Sequence, residues 1–385
     1  MAAHRVFRVG ISGSYGGWNL GDEAILQGII EELRRAAPVE ITVFTRDPAD
    51  TLRRHHVERA VPVRQFLRGD ILPELRPLDL FILGGGGILF DAEVRTFLRE
   101  VELAHELGVP VMLYAVGAGP LVDHHIQAHI SKCLDKAKII TVRDWRSKHL
   151  LESCGVLHEI EVTADPALLS EPEPIPEDLL VAEGFAAGRR LIGMSVRERG
   201  PAAPALSEVD YHSLLACAAD FMVDRLNADL IFVPMERKHD FQNAHAVLSR
   251  MQSPERASVL RGNYTAGQLL SLIRRFEFAV GMRLHFLTLV ALARVPFVPL
   301  SYAPKVLGFV EKLGIHPEPL DQLEAGRLIA HIDRAWDERA AIQARIGENL
   351  PRLQARAQQT SSEAVGLLLG QRKLKGEDCH GNHAC

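Results

Sequence analysis

The chain has 385 residues, 47% hydrophobic and 24% charged, the balance of a globular protein longer than one core usually fills. Lys plus Arg number 44 against 49 Asp plus Glu, a formal charge of -5 that argues against nucleic-acid binding by bulk charge but leaves room for a local basic pocket. No apolar run approaches the roughly 20 residues of a membrane-spanning helix, and the opening MAAHRVFRVGIS lacks the apolar stretch and cleavage site of a secretion signal. The cysteines, Cys133, Cys154, Cys217, Cys379 and Cys385, are scattered and odd in number. A disulfide framework is therefore not expected, and a reducing cytoplasm fits.

Along the first half, short β-branched runs alternate with amphipathic stretches. Val6–Ser12, Val39–Phe44, Leu78–Leu83, Val109–Tyr114 and Lys138–Val142 read as strands, with helical patterns such as Glu23–Ala36 and Val94–Leu107 between them. This order predicts a parallel sheet covered on both faces, whose strands are nearly all apolar, as LDLFIL is. SEPEPIPEDLL then marks an exposed linker within 170–188. The pattern restarts with strands at Arg190–Val196, Asp229–Pro234, Ala257–Leu260, Glu277–Gly281 and Val295–Leu300, and helices at Tyr211–Leu226, Tyr264–Arg274, Arg283–Ala293 and Ala303–Leu313. Gln322 to Leu369 is helical. The expectation is an α/β protein of two Rossmann-like domains facing a cleft, 1–169 and 189–372, with terminal helices on the second and a polar tail over 373–385.

In such sheets ligands bind where strands end, so the residues there are the candidates. The first loop holds Tyr15, Gly16, Trp18, Asn19, Gly21 and Asp22. Its glycines do not match the dinucleotide fingerprint. Asp22 and Glu23 suit a helix start and would repel a phosphate there. Taken together the loop resembles a binding surface, with Tyr15 and Trp18 exposed. Gly84, Gly85, Gly86 and Gly87 follow the strand ending at Leu83, either as anion-binding amides or to permit tight packing. Arg143 and Arg197 each follow a strand and suit a carboxylate or phosphate, although Arg143 could instead pair locally with Asp144. Asp165, before Pro166, reads as a turn or cap residue. The sharpest cluster is GMRLH, which places Arg283 and His285 at a helix start after a strand, with Lys305 in the corresponding place of the next unit. A bound polyanion would favour protonated His285, a combination that suits proton transfer. The pairs His55-His56 and His124-His125 lack metal-ligand spacing and read as solvated. Cys133, Cys154 and Cys217 read as small buried hydrophobes, and the Cys379–Cys385 tail as unscaffolded. No metal site is assigned.

The ordered set YGGWNLGDEAIL, FILGGGGILF, VPVMLYAVGAGPL, Arg143-Asp144, Asp165–Ala167, SVR ending at Arg197, GMRLH and SYAPK ending at Lys305 resembles the polysaccharide pyruvyl transferase family over residues 9 to 314. The first loop looks closest to the branch acting on bacterial secondary cell-wall polymers. The resemblance implies a fold like that of GT-B glycosyltransferases. It also implies transfer of a pyruvyl group from phosphoenolpyruvate to two hydroxyls of a sugar, as a cyclic ketal, with release of phosphate. By motif match Arg143, His285 and Lys305 correspond to donor-site residues, and Arg197 and Arg283 are further anion contacts.

His285 would then be the acid/base, the first domain would hold the acceptor, and no cofactor beyond the donor is required. Whether the acceptor is lipid-linked, nucleotide-linked or free is open. A lipid-linked one would require a peripheral membrane surface, at the inner face for a cytoplasmic enzyme. Oligomeric state is likewise open. A GT-B glycosyltransferase using a nucleotide sugar is the competing reading, followed by a non-catalytic anion- or sugar-binding protein.

Overall fold

The computed structural model describes residues 5–185, 188–200, 203, 205–301, 303–317 and 324–370. The tail 373–385 and Tyr302 of the SYAPK motif lie outside the described residues. The first unit runs β1 (Phe7–Ser12), α1 (Leu20–Ala36), β2 (Val39–Thr45), α2 (Pro48–Arg54), β3 (Arg59–Pro62), α3 (Arg68–Leu75), β4 (Leu80–Leu89), α4 (Val94–Glu106), β5 (Val111–Ala118), α5 (His124–Leu134), β6 (Ile139–Val142), α6 (Trp145–Ser153) and β7 (Ile160–Val162). A 3-10 turn at Pro166–Leu169 follows. The second unit runs α7 (Glu177–Ala182), β8 (Arg190–Ser195), α8 (Glu208–Leu226), β9 (Ala228–Phe232), α9 (Arg237–Leu248), β10 (Ala257–Val259), α10 (Ala266–Ile273), β11 (Phe278–Gly281), α11 (Leu284–Leu292), β12 (Phe297–Pro299) and α12 (Pro304–Lys312). Two helices close the chain, α13 (Ala325–Asp337) and α14 (Arg339–Leu368).

Both sheets are parallel, with strand orders β3-β2-β1-β4-β5-β6-β7 and β10-β9-β8-β11-β12. Each reverses direction of growth beside its first strand, between β1 and β4 and between β8 and β11, where a crevice opens at the carboxyl ends. The two crevices face each other. Helix α1 shows how the local sequence sets this geometry. Asn19 caps it by accepting from the Gly21 N–H at 3.0 Å, acids occupy its first turn and Arg34 and Arg35 its last, and one face buries Ile25, Leu26, Ile29 and Leu33.

Three elements differ from the sequence expectation. The glycine run is strand rather than loop: β4 continues to Leu89 and pairs Gly84 with Tyr114, Gly86 with Val116 and Gly87 with Gly117. The segment expected as an exposed linker carries α7, which buries Leu180 in the second core, as Phe185 is buried just beyond it. The terminal helices do not belong to the second unit alone. Helix α14 buries Ile346 and Leu350 in the second core, then crosses to the first, where Ala364 is buried, the Thr360 hydroxyl donates to that of Thr163 at 2.7 Å and Ser361 donates to Glu32 at 3.2 Å.

The 3-10 turn is shared in the same way. Ala167 is buried in the first core while Leu168 and Leu169 are buried in the second. Gly28 of α1 packs so closely on this turn that an added Cβ would strike the Pro166 carbonyl. Gly347, in α14, faces open space. Both glycines gain helix propensity on conversion to alanine, so their difference isolates the clash. Gly28→Ala is expected to be less stable than Gly347→Ala by about 1–3 kcal/mol in denaturant titrations.

Candidate functional site: a shared carboxylate between the domains

Asp165 follows β7 and caps the 3-10 turn, with Oδ1 accepting from the Ala167 N–H at 3.1 Å. Its Oδ2 accepts from Arg143 Nη1 at 2.8 Å and lies 3.4 Å from Nε2 of His285. Burial alone would raise this carboxyl, but His285, Arg143 and the Ala167 N–H overcome it and hold the group well below the usual carboxylate range. Arg143 leaves the end of β6 and is itself buried. Its guanidinium lies along the bare Cα atoms of Gly87 and Gly117, where a Cβ would contact it. The local pairing with Asp144 is the weaker one, at 3.9 Å, and Asp144 caps α6 by accepting from the Ser147 N–H at 2.8 Å.

His285 stands in the first turn of α11, and its neighbours Leu284 and Phe286 are buried as expected. The ring occupies the space that a Cβ on Gly21 would fill, so a residue of the second domain rests directly on the first helix of the other. The imidazole retains 14% exposure and lines a cavity of about 270 Å³ with Asn19, Asp22, Gly87, Arg143 and Lys305. It therefore has access to solvent. Burial raises the Asp22 carboxyl, against the attraction of His285 and Lys305. A second cavity, of about 360 Å³, is lined by Arg143, Asp165 and Lys305 together with Trp145, Leu168, Phe309 and Lys312. Burial pushes the Lys312 ammonium below its usual range.

Arg143, His285, Lys305, Asn19, Gly21, Asp22 and Gly87 thus come together, and several other candidates do not. Tyr15, expected to be exposed, is not. It is fully buried, with its phenol where a Cβ on Gly84 would lie, which explains why Gly84 is a glycine. Gly85 and Gly86 are buried in β4, and Gly86 has a φ of +93°. Gly16, at a φ of +68°, donates its N–H to Glu23 at 2.9 Å and turns the loop. Trp18 is 39% exposed, but it lies under the Arg237 guanidinium beside Arg54 and Tyr264, in a pocket apart from His285. The loop around it is bonded to the second domain: the Leu20 N–H donates to the Met235 carbonyl at 2.8 Å and the Arg237 N–H to that of Trp18 at 3.2 Å. Arg283 reaches the His285 cavity, but its Nε donates to buried Asp240 at 2.9 Å. Arg197 is turned to Glu198 and does not line either cavity.

Two discounted residues also differ from expectation. His55 is buried and bonded to buried Glu23 at 2.8 Å, not solvated, and Cys217 is exposed. The reading by residue type missed Asp165 as a bridge. Its DP turn signal is real, but the partners lie 22 and 120 residues away. Among the described residues no group of three or more His, Cys, Asp or Glu could hold a metal, and no helix is long and apolar enough to cross a membrane.

Because Asp165 titrates below its unfolded value near 3.9, the stability it contributes is present above that pH and is lost as pH falls through the folded value. Asp165→Asn leaves the buried Arg143 guanidinium without its carboxylate and is expected to cost about 3–5 kcal/mol at pH 7. The deficit against wild type should shrink as the pH is lowered below 4, read by calorimetric melting.

The same architecture occurs in solved structures. MnaA of S. aureus with UDP superposes with a TM-score of 0.64 at 10% identity, over 95% of this chain and 98% of that one. The UDP-GlcNAc 2-epimerase of Neisseria meningitidis bound to UDP-GlcNAc gives 0.60 at 11% identity, over 95% and 100%. A glycosyltransferase of Rickettsia africae gives 0.60 at 10% identity, over 96% and 100%. These likenesses establish the GT-B-like fold alone. No curated protein matches the sequence. A family model for polysaccharide pyruvyl transferase matches residues 19–304, which span the shared carboxylate, His285 and the first residue of α12. The chain belongs to the polysaccharide pyruvyl transferase family.

Proposed function

We propose that this protein transfers a pyruvyl group from phosphoenolpyruvate to a sugar of a cell-surface polysaccharide or its precursor, closing a cyclic ketal and releasing phosphate. The observation that carries this reading is an imidazole held beside Arg143 and Lys305 in one solvent-accessible cavity. The donor bears a carboxylate and a phosphate, which need fixed cations, and an enol carbon, which needs a proton donor. Arg143 is already oriented by Asp165 and offers its remaining N–H groups to the donor anion. Lys305, in the first turn of α12, adds a point charge, and the positive helix end beside it adds to the attraction for the donor anion rather than stabilising the ammonium. His285 delivers the proton to the methylene carbon, and the cations stabilise the departing phosphate.

Arg283 is tied to Asp240, so it tunes the field of the cavity rather than gripping the donor. The acceptor approaches from the Asn19–Asp22 side, where helix α1 begins. Neighbours that hold UDP or UDP-GlcNAc share the fold, which keeps a nucleotide-sugar reaction as the competing reading. The two separate cleanly: incubation with phosphoenolpyruvate and a sugar acceptor yields inorganic phosphate and a pyruvate ketal by mass spectrometry, whereas a nucleotide sugar would yield nucleoside diphosphate. His285→Ala should lower kcat by about 10²–10⁴-fold while the Kd for phosphoenolpyruvate, by titration calorimetry, stays within a few-fold. An unchanged kcat would remove His285 from the proton transfer.

A further inference from the structure

Resting on the pyruvyl-transfer reading, we propose that Asp22 is a second proton-transfer residue, working across the cavity from His285 on the acceptor hydroxyls and the leaving phosphate. Asp22 is the third residue of α1, a position from which an acid commonly folds back on the helix start. Here that cap is supplied by Asn19, and the Asp22 carboxyl faces the cavity that His285 lines. Gly86, without a side chain, leaves the space beside Asp22 Oδ1 open. The groups that act on it include Glu23 on its own helix, Tyr15 in the loop before it, His285 on α11 and Lys305 on α12, Ser14 hydrogen-bonds to it, and Arg46, Glu93 and Arg283 line the same cavity. Arg143 lines the same cavity from the end of β6.

The reaction explains why one imidazole is not enough. Two hydroxyl protons are lost, one carbon gains a proton and the phosphate carries another away. In the first step one hydroxyl oxygen attacks C2 of the donor, its proton passes to the Asp22 carboxylate, and the double-bond electrons take a proton from the His285 imidazolium to make the methyl group. C2 now carries methyl, carboxylate, phosphate ester and one sugar oxygen. In the second step the bond from C2 to the phosphate oxygen breaks, the electron pair leaves with phosphate, and protonated Asp22 returns its proton to that oxygen. The second hydroxyl attacks C2 and gives its proton to neutral His285. One ketal and one phosphate result, and both groups regain their starting protonation. Asp165 takes no part as a proton carrier, because it is engaged by Arg143 and His285 together.

The test compares wild type, Asp22→Asn and Asp22→Ala with phosphoenolpyruvate and the acceptor on which wild type is active. Asp22→Asn is expected to lose about 10²–10⁴-fold in kcat, to keep the wild-type Kd for phosphoenolpyruvate and melting temperature, and to lose the acid limb of the pH profile. Asp22→Ala should recover at least about tenfold on addition of formate, a carboxylate small enough to fill the vacated space. An Asp22→Asn enzyme within about threefold of wild type, or an Asp22→Ala enzyme that formate does not restore, overturns the assignment. Wild type inert toward phosphoenolpyruvate with every sugar tried overturns the pyruvyl-transfer reading itself, and this assignment with it.

Discussion

The site depends on one carboxylate that two domains share. Asp165 is buried, and a buried charge is tolerated only when it is paired and hydrogen-bonded. Its partners come from opposite sides: Arg143 from the first sheet and His285 from the second. The turn that carries it is packed into both cores, through Ala167 on one side and Leu168 and Leu169 on the other. The pairing therefore fixes more than one contact. It sets the guanidinium and the imidazole relative to each other across the cleft, so any anion entering the cavity would meet groups already in place.

Glycines complete that arrangement by absence. Gly21 makes room for the imidazole, Gly87 and Gly117 for the guanidinium, and Gly84 for the Tyr15 phenol. None of these four is at a positive φ, so their need is steric rather than conformational. This changes how the glycine run is understood. Gly84, Gly86 and Gly87 pair with β5, so the run is strand rather than a free loop, while the vacant Cβ positions of Gly84 and Gly87 make room for Tyr15 and Arg143.

Much of this was legible in the chain. Apolar runs located the central strands of both sheets, and the rule that ligands gather at strand ends brought Arg143, His285 and Lys305 to one place. What stayed hidden depended on distant partners. Asp165 carries a turn signal indistinguishable from any other DP pair, and only folding sets it against residues from two other loops. Tyr15 and Trp18 sit in one loop and have opposite fates, one under β4 and the other against Arg237, because exposure of a loop aromatic is decided by what packs over it. The linker reading failed at α7 for a related reason: proline and acid content describe the segment's exposed residues, while Leu180 and Phe185, with Ile175 and Leu179 half-buried beside them, dock it.

The return of α14 to the first domain limits how the molecule can breathe. The chain passes between the halves at the Pro166–Leu169 turn and again in α14, and these passages touch, with Gln354 donating to the Leu168 carbonyl at 3.2 Å. Two adjacent connections resist sliding of one half past the other more than rotation about the line that joins them. Any rotation about that line would part Leu20 from Met235 and withdraw the imidazole from Gly21, so opening the cleft and separating His285 from the first helix would be one and the same movement.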